Sequence, residues 1–164
     1  METVIHPFLP VFDGRSKVLI LGSFPSVKSR ENHFYYGHPQ NRFWKVAAAL
    51  TKEAEPGSIP EKRQLLLRHG IALWDTIASC RIEGSSDSSI RDAVPNDIAG
   101  LLAKTGIRAV FCNGTASWEL YRKYCEEDCR IAAKRLPSTS PANAAWRLER
   151  LTEAWREALS DYLL

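Results

Sequence analysis

The sequence predicts an α/β protein, a three-layer αβα sandwich built around a central four-stranded parallel sheet. Short apolar runs alternate with segments of helical periodicity along the 164 residues. The links between them are short, as in chains that place helices on both faces of a parallel sheet. A chain of this length buries a sizeable core without metals or disulfides. Its 45% hydrophobic and 25% charged content is that of an ordinary globular protein, and we expect one domain over residues 1–164.

Four apolar runs are predicted to form the strands of the sheet. The first lies between Gly14 and Gly22, and its unbroken hydrophobicity is typical of a strand that is buried on both faces. The third ends at an Asn-Gly pair, which indicates a turn. The predicted strands are Lys17–Leu21, Ile71–Trp74, Arg108–Cys112 and, as the weakest of the four, Ile131–Leu136.

Helices are predicted between and after these strands. One follows Asn41, with apolar residues at helical spacing, and another opens at Pro60 and closes at Gly70. Asn96 or Asp97 is expected to cap a third helix that runs to Lys104. Two further helices are predicted over about Thr115–Cys125 and Asn143–Tyr162, the last with an apolar stripe of core residues.

The composition excludes several classes of protein. No apolar run approaches the ~18 residues that span a bilayer, so we expect no membrane partner. The N-terminal residues contain neither the basic region nor the apolar core of a signal peptide, which favours a cytoplasmic protein that works with the chromosome. A formal net charge of +3 is by itself weak support for a polyanionic partner. Separately, we expect the protein to be a monomer.

The four cysteines do not form a metal-binding pattern. Cys80 and Cys112 each end an apolar run, which places them in the core. Cys125 and Cys129 are separated by three residues, whereas zinc and redox pairs are commonly separated by two. We therefore predict reduced structural thiols, no metal and no other cofactor.

Polar or glycine-containing segments follow all four predicted strands. Because ligands of open parallel sheets bind beyond the carboxyl ends of the strands, these segments are expected to converge on one site. They are residues 22–26, 75–89, 113–116 and 137–143.

Aromatic and cationic residues are concentrated just after the first strand. Six of the sixteen aromatic residues lie between Phe24 and Lys45. Lys28, Arg30, Arg42 and Lys45 face one acidic residue in the same stretch. Cations and aromatic rings that alternate in this way suit a protein that holds phosphates and stacks a flat base.

Each candidate site residue also has an ordinary structural role. Asn41 is either the N-cap of a helix or an amide whose carbonyl oxygen positions a water molecule. Phe43 belongs either to the core or to a stacking surface. Asp75 either caps a turn or accepts a hydrogen bond from a ring N–H of a bound base. For residues 137–143 the structural role is that Ser140 or Asn143 caps the last helix. The functional alternative is that the hydroxyls and backbone N–H groups of this loop contact phosphates.

Five ordered motifs together resemble the uracil-DNA glycosylase superfamily, and most closely its hypoxanthine-DNA glycosylase branch. The resemblance covers roughly residues 5–160. The motifs are Leu-Gly-Ser-Phe-Pro-Ser, Phe-Tyr-Tyr-Gly-His-Pro-Gln-Asn-Arg-Phe-Trp, Leu-Trp-Asp-x-Ile-Ala-Ser-Cys, Phe-Cys-Asn-Gly and Leu-Pro-Ser-Thr-Ser-Pro-Ala-Asn.

The resemblance implies a role for each matching residue. Phe24 stands where most of the superfamily has a catalytic Asp or Asn, and a phenyl ring cannot activate water. The resemblance implies that Asn41 takes over this role. It also implies that Phe43 stacks the base, that Asp75 reads its edge, and that the loop with Ser138, Thr139 and Ser140 presses on the phosphates. We further expect backbone N–H groups near Ser23 and Phe24, together with Asn113, to contact the base.

These observations predict a monofunctional DNA glycosylase that excises deaminated bases from DNA in base excision repair, hypoxanthine first. Its partner is DNA that contains a deaminated base. No lysine has the setting of a nucleophile, so we expect no lyase activity. One alternative is a uracil-directed or mismatch-directed glycosylase. Another, from a different class, is a non-catalytic protein that binds damaged DNA.

Overall fold

The computed structural model describes residues 2–164 as seven strands, seven α-helices and one short 3-10 helix. The strands are β1 (Thr3–Ile5), β2 (Val18–Gly22), β3 (Ile71–Asp75), β4 (Ile77–Arg81), β5 (Arg91–Pro95), β6 (Ala109–Asn113) and β7 (Ala133–Leu136). The helices are α1 (Val27–Asn32), α2 (Phe43–Thr51), α3 (Ile59–Arg68), α4 (Ile98–Ala103), α5 (Thr115–Tyr124), α6 (Glu126–Cys129) and α7 (Leu148–Leu159), and the 3-10 helix is Asp87–Ser89.

The predicted four-stranded parallel sheet is present, with the strand order β3-β2-β6-β7. Leu21 of β2 pairs with Trp74 of β3 on one side and with Cys112 of β6 on the other. Every residue of β2 is buried because the strand has a neighbour on each side and helices above and below. The carboxyl ends of all four strands therefore lie along one edge of the sheet, as the sequence predicted.

Helices cover both faces of this sheet, which confirms the predicted αβα layering. Ile20 and Leu73 belong to a core cluster formed with residues of α2, α3 and α7, including Trp155. Leu19 and Leu21 belong to a cluster on the opposite face, formed with residues of α4 and α5. Alternate side chains of one strand thus pack against different helix layers, because successive Cβ atoms of a strand point to opposite faces.

A second sheet was not predicted from the sequence. It has three antiparallel strands in the order β1-β4-β5. Arg91–Pro95 is largely exposed, and in Ile77–Arg81 only Ile77 and Cys80 are buried, so no continuous apolar run marks these strands. Residues 75–89, expected to form a polar segment after the second strand, contain β4 and the 3-10 helix. The sheet matters because β1 leads into His6, which contacts Asp75, and β4 leads into Ser85 and Asp87, which line the cavity.

One predicted helix start is confirmed and another is wrong. Asp97, one of the two expected caps, does cap α4 by accepting a hydrogen bond from the Gly100 N–H. The last helix was predicted from about Asn143 but begins at Leu148, so neither Ser140 nor Asn143 is its N-cap. The intervening segment is a loop held by side chains. No helix among residues 2–164 is long and apolar enough to span a membrane.

Candidate active site

A cavity of about 360 Å³ opens at the carboxyl edge of the parallel sheet. This volume falls in the ~300–1,000 Å³ range typical of small-molecule sites. Its lining includes residues 22–26, Asp75, Asn113 and residues 138–142, so all four segments that follow the strands contribute to it. The expected convergence of these loops is therefore observed.

The aromatic ring that faces the cavity beside Asn41 is Tyr36, whereas Phe43 lies behind it. Phe43 is 1% exposed and does not line the cavity. Its ring is stacked against Tyr36, with 4.3 Å between centroids and 18° between planes. The prediction that Phe43 stacks a bound base is wrong in this structure, because Phe43 begins α2 and its side chain packs into the core cluster against Trp155. Phe43 instead supports the tyrosine ring.

Asp75 is the acidic group at the inner wall of the cavity. It ends β3, is 3% exposed, and accepts a hydrogen bond from His6 Nε2 on its Oδ2 atom at 2.7 Å. The Phe8 N–H contacts His6 Nδ1 at 3.4 Å, so the proton of a neutral ring lies on Nε2 and is donated to the carboxylate. No donor among residues 2–164 contacts Oδ1, which leaves this oxygen as an acceptor for a bound group.

Gly22 makes room for this carboxylate. A Cβ atom at position 22 would lie 2.3 Å from Asp75 Oδ1 and 3.1 Å from the Tyr36 hydroxyl. Both oxygen atoms therefore pack against the same Cα atom. Glycine is needed here for close approach rather than for an unusual backbone angle.

The Tyr36 hydroxyl is buried and makes no hydrogen bond of standard geometry with the described residues, although the Asn113 side chain lies near enough to oppose the rise in its pKa. Burial, and secondly the negative charge of Asp75, raise the pKa of this phenol, so it is a protonated donor at neutral pH. A buried hydroxyl without a partner is unfavourable by about 1–3 kcal/mol. A ligand that accepts a hydrogen bond in the cavity would remove this penalty.

Asn41 lines the cavity, but its amide is turned the opposite way from our expectation. Its Oδ1 atom accepts hydrogen bonds from the Phe43 N–H at 2.9 Å and from the Thr139 hydroxyl at 2.8 Å. Thr139 in turn accepts a hydrogen bond from Asn113 Nδ2 at 2.9 Å. Because a carbonyl oxygen has two lone pairs, Oδ1 has no capacity left for water. The Nδ2 group is the part of Asn41 that is available to a ligand.

Arg42 holds a loop together, contrary to its predicted role at the DNA backbone. Its guanidinium donates to the backbone oxygens of Ser140 at 2.9 Å and Asn143 at 3.1 Å, and also to that of Trp146. These bonds fix residues 138–146, which explains why the loop needs no helix to order it. With its donors used in this way, Arg42 is not free to contact phosphate.

The three loop residues predicted to contact phosphates have different exposures. Thr139 is 0% exposed and is engaged with Asn41 and Asn113, so its side chain does not reach the surface. Ser138 and Ser140 accept hydrogen bonds from the N–H groups two residues later and line the cavity. These two serines retain a surface position.

Lys28 and Arg30 extend from α1, and neither lines the cavity. Lys28 pairs with Glu31 at 3.5 Å, and both side chains are more than half exposed, so this pair contributes little. Arg30 donates to the Gly84 carbonyl at 2.6 Å, and its guanidinium lies 5.7 Å from the centroid of the Phe24 ring, which lines the cavity. These contacts leave Lys28 as the more available of the two cations.

An acidic residue from another loop also reaches the cavity. Ser23, at the end of β2, donates a hydrogen bond from its hydroxyl to Asp87 Oδ1 at 2.6 Å. Asp87 begins the 3-10 helix and lines both the cavity and a neighbouring groove. Loss of hydration raises the pKa of Asp87, the hydrogen bond from Ser23 lowers it, and the charge of Asp75 raises it further.

Sequence reasoning did not single out His6, Tyr36 or Asp87. Tyr36 was visible as part of the aromatic motif before Asn41, and Asp87 was visible as the one acid among the serines of residues 85–89. Nothing in the sequence around His6 indicated its contact with Asp75. A buried carboxylate requires a hydrogen-bond donor, but that donor lies 69 residues away along the chain.

The four cysteines are free thiols. Burial raises the pKa of Cys112 and of Cys125 to about 12, so both are unreactive at neutral pH. No cluster of three or more His, Cys, Asp or Glu residues with the geometry to hold a metal is present among residues 2–164.

The α/β sheet ends in an open cavity lined by aromatic, acidic and polar side chains, an arrangement that suits the binding of a flat polar base. The chain belongs to the uracil DNA glycosylase superfamily, whose family profile matches residues 9–163. The protein is therefore a hydrolase that acts on N-glycosidic bonds in DNA.

The chain is similar to two proteins named hypoxanthine DNA glycosylase. The protein from Methanosarcina acetivorans is 36% identical over 151 residues, which cover 89% of this chain and 92% of the relative. The protein from Methanosarcina barkeri is 34% identical over 114 residues, which cover 68% and 72% respectively.

A solved structure has the same fold. It is the solution NMR structure of a Methanosarcina acetivorans protein described as a candidate uracil DNA glycosylase, with a TM-score of 0.77 and 32% sequence identity. The match covers 94% of this chain and 98% of that chain.

Proposed function

We propose that the protein is a monofunctional DNA glycosylase that removes deaminated bases, with hypoxanthine preferred, and that it acts as a monomer. The observation that carries this proposal is the pairing of a donor and an acceptor at the inner end of the cavity. The Tyr36 hydroxyl and Asp75 Oδ1 pack against the same Cα atom of Gly22, and neither makes a hydrogen bond of standard geometry with the described residues.

This donor and acceptor match the edge of hypoxanthine. The base presents a ring N–H beside a carbonyl oxygen, so the N–H can donate to Asp75 Oδ1 while the carbonyl accepts from the Tyr36 hydroxyl. Adenine presents a lone pair in place of the ring N–H, and this lone pair would face the carboxylate. A site that pairs with a substrate N–H rejects an analogue lacking it, because the buried acceptor is then left unpaired.

The remaining cavity residues support binding of an extruded base. The Tyr36 ring is held in place by Phe43, which fixes the position of the hydroxyl that donates to the base. A paired base must leave the duplex to reach the cavity, at a cost of a few kcal/mol that is lowest for weak pairs. Hypoxanthine formed by deamination of adenine is mispaired with thymine and is easier to extrude.

The chemistry supported by this site is hydrolysis without a covalent enzyme intermediate. No lysine is among the residues that line the cavity, so a Schiff base with the sugar is not supported. Departure of the base leaves positive charge on the sugar ring, and anionic groups near the site stabilise that charge. The product is an abasic site in an unbroken strand.

Uracil is the second candidate substrate, and the same observation favours it. Uracil also presents a ring N–H between carbonyl oxygens, so it satisfies the Tyr36 and Asp75 pair. It is smaller than hypoxanthine and fills less of the cavity, which predicts weaker packing against the wall. We therefore place hypoxanthine first.

The test uses purified protein and duplexes that carry hypoxanthine, uracil, xanthine or adenine at one position. We expect hypoxanthine excision without added metal, with strand breaks appearing only after alkali. Asp75→Asn offers both donor and acceptor, so it should lower the preference for hypoxanthine over adenine and shift activity towards uracil. Excision of uracil but not hypoxanthine by the wild type would replace the first candidate with the second. DNA binding with no excision of any base would refute the proposed activity.

A further inference from the structure

Water that attacks the sugar needs a group to accept its proton, and most polar groups in the cavity are already engaged. Asn41 Oδ1 accepts two protein donors. The Tyr35 hydroxyl donates to the Leu9 carbonyl. His38 Nδ1 accepts from the Gln40 N–H. Asp75 lies against Gly22 at the inner end, where it faces the edge of the base rather than the sugar.

Asp87 differs from these groups in its position. A groove of about 630 Å³ adjoins the cavity, and five residues line both. We place the DNA strand in this groove, so that a base filling the cavity has its sugar where the two spaces meet. The residues at this junction are Asp87, Asn113, Ser138, Ser140 and Ala142, and Asp87 is the only ionisable residue among them.

The loop that carries Asp87 is tied to the segment after β2. Ser23 donates to Asp87 Oδ1, the Val27 N–H donates to the Ser85 hydroxyl at 3.0 Å, and Arg30 donates to the Gly84 carbonyl. These three bonds join residues that are 54 to 64 positions apart. They hold one carboxylate oxygen and leave Oδ2 available at the junction.

We propose that Asp87 is the catalytic base that accepts the proton of the attacking water. This inference rests on the proposed glycosylase function and deepens it. The water oxygen forms a bond to C1′ as the bond from C1′ to the base nitrogen breaks. The electron pair of that bond leaves with the base, and Asp87 Oδ2 takes the proton from the water. The base then gains this proton from Asp87, directly or through solvent that takes the proton from Asp87, which restores the carboxylate.

The surroundings of Asp87 suit this task. Loss of hydration raises the pKa of Asp87, the hydrogen bond from Ser23 opposes this shift, and the charge of Asp75 adds to it. The raised pKa strengthens the carboxylate as a base, while the residue as a whole remains exposed to solvent. The other titratable groups that line the cavity are Tyr35, Tyr36 and His38. Both tyrosines have pKa values raised by burial and are neutral at working pH.

The experiment compares Asp87→Asn with Asp92→Asn under single-turnover conditions on the hypoxanthine duplex. Asparagine keeps the acceptor for Ser23 and removes the negative charge, so DNA affinity should be retained. A positioned general base is worth ~10²–10⁴ in rate, and we expect a loss of that size. Asp92 is an exposed carboxylate on β5 that lines neither space, and its variant should stay within twofold of the wild type.

The pH dependence gives an independent readout. The wild-type rate should rise with pH as Asp87 ionises, and this limb should disappear in Asp87→Asn. Ser23→Ala removes a hydrogen bond that lowers the pKa of Asp87, so the limb should move to higher pH. This second variant keeps the carboxylate, and it tests the proposal even if Asp87→Asn fails to fold.

The outcomes separate this inference from the proposed function. A wild type that excises no base overturns both. If the wild type is active but Asp87→Asn excises hypoxanthine at the same rate, only the role of Asp87 is overturned. The same holds if Ser23→Ala does not shift the pH at which the excision rate rises. Loss of DNA affinity in Asp87→Asn to the same extent as the loss of rate assigns Asp87 to binding and overturns the catalytic role.

Discussion

Replacing Gly22 with alanine tests whether base recognition depends on the exact position of the Asp75 carboxylate. The new Cβ would lie 2.3 Å from Asp75 Oδ1 and 3.1 Å from the Tyr36 hydroxyl. Carbon and oxygen atoms that are not bonded stay more than 3 Å apart, so the carboxylate must move by about 1 Å. The hydrogen bond from His6, now 2.7 Å, would lengthen or break.

The expected loss follows from this displacement. A misplacement of about 1 Å in an active site costs roughly 100-fold in rate, and we expect that loss for hypoxanthine excision. Overpacking of a buried site costs about 1–3 kcal/mol of stability, which leaves the fold intact. The main readout is the single-turnover excision rate at saturating enzyme, with urea denaturation as the measure of stability.

Gly14→Ala provides the matched control. No atom lies within 4 Å of the Cβ that this substitution would add, so both the excision rate and the stability should be unchanged. Excision by Gly22→Ala within twofold of the wild type would refute the reasoning, because it would show that neither the Asp75 carboxylate nor the Tyr36 hydroxyl needs its present position.

Three further predictions concern the supporting structure. Phe43→Ala removes a buried core side chain, the ring that lies behind Tyr36, so it should lower the free energy of unfolding measured in urea by about 3–5 kcal/mol. A decrease in this free energy of less than about 1 kcal/mol, as for a surface residue, would contradict the buried position of Phe43. Arg42→Ala should leave the slope of log Kd for DNA against log salt unchanged while lowering the melting temperature, whereas a phosphate contact would reduce the slope by about 1. Hydrogen bonds, first from Arg68 and then from His69, lower the pKa of Glu53 to about 2 from an ordinary 4.5. The stability that Glu53 adds should therefore be complete above about pH 5 and should fade as the pH falls towards 2. A constant difference in stability between the wild type and Glu53→Gln over this range would contradict the prediction.

The central sheet could be predicted because its signal is local. Val18–Gly22 is unbroken in its hydrophobicity since it is buried on both faces, and the turns after it contain glycine or proline. The predicted sheet alone indicates the edge at which the loops meet, and therefore the general location of the site. The antiparallel sheet gave no such signal, because β1 and β5 are short and largely exposed. These strands form because they pair with β4, and no local pattern in their own sequence indicates it.

Roles within the site depended on contacts that no local pattern encodes. Asn41 was placed correctly at the cavity, but which end of its amide faces the ligand is decided by Thr139, 98 residues away. Phe43 and Tyr36 are both aromatic and seven residues apart, and only packing decides which one is exposed to the cavity. Arg42 looks like a phosphate ligand in sequence, yet the carbonyl oxygens of a distant loop use its donors.

The hydrogen bonds that join Asn41 and Arg42 to residues 138–146 have a consequence for folding. They connect positions 97 to 104 residues apart, and contacts of such long range form late because loop closure opposes them. The central pairing of β2 with β6 joins residues about as distant along the chain, so the sheet and the base pocket are expected to form in the same late step. Competence to attack DNA arrives only with the complete native state, so incompletely folded molecules are harmless to the genome.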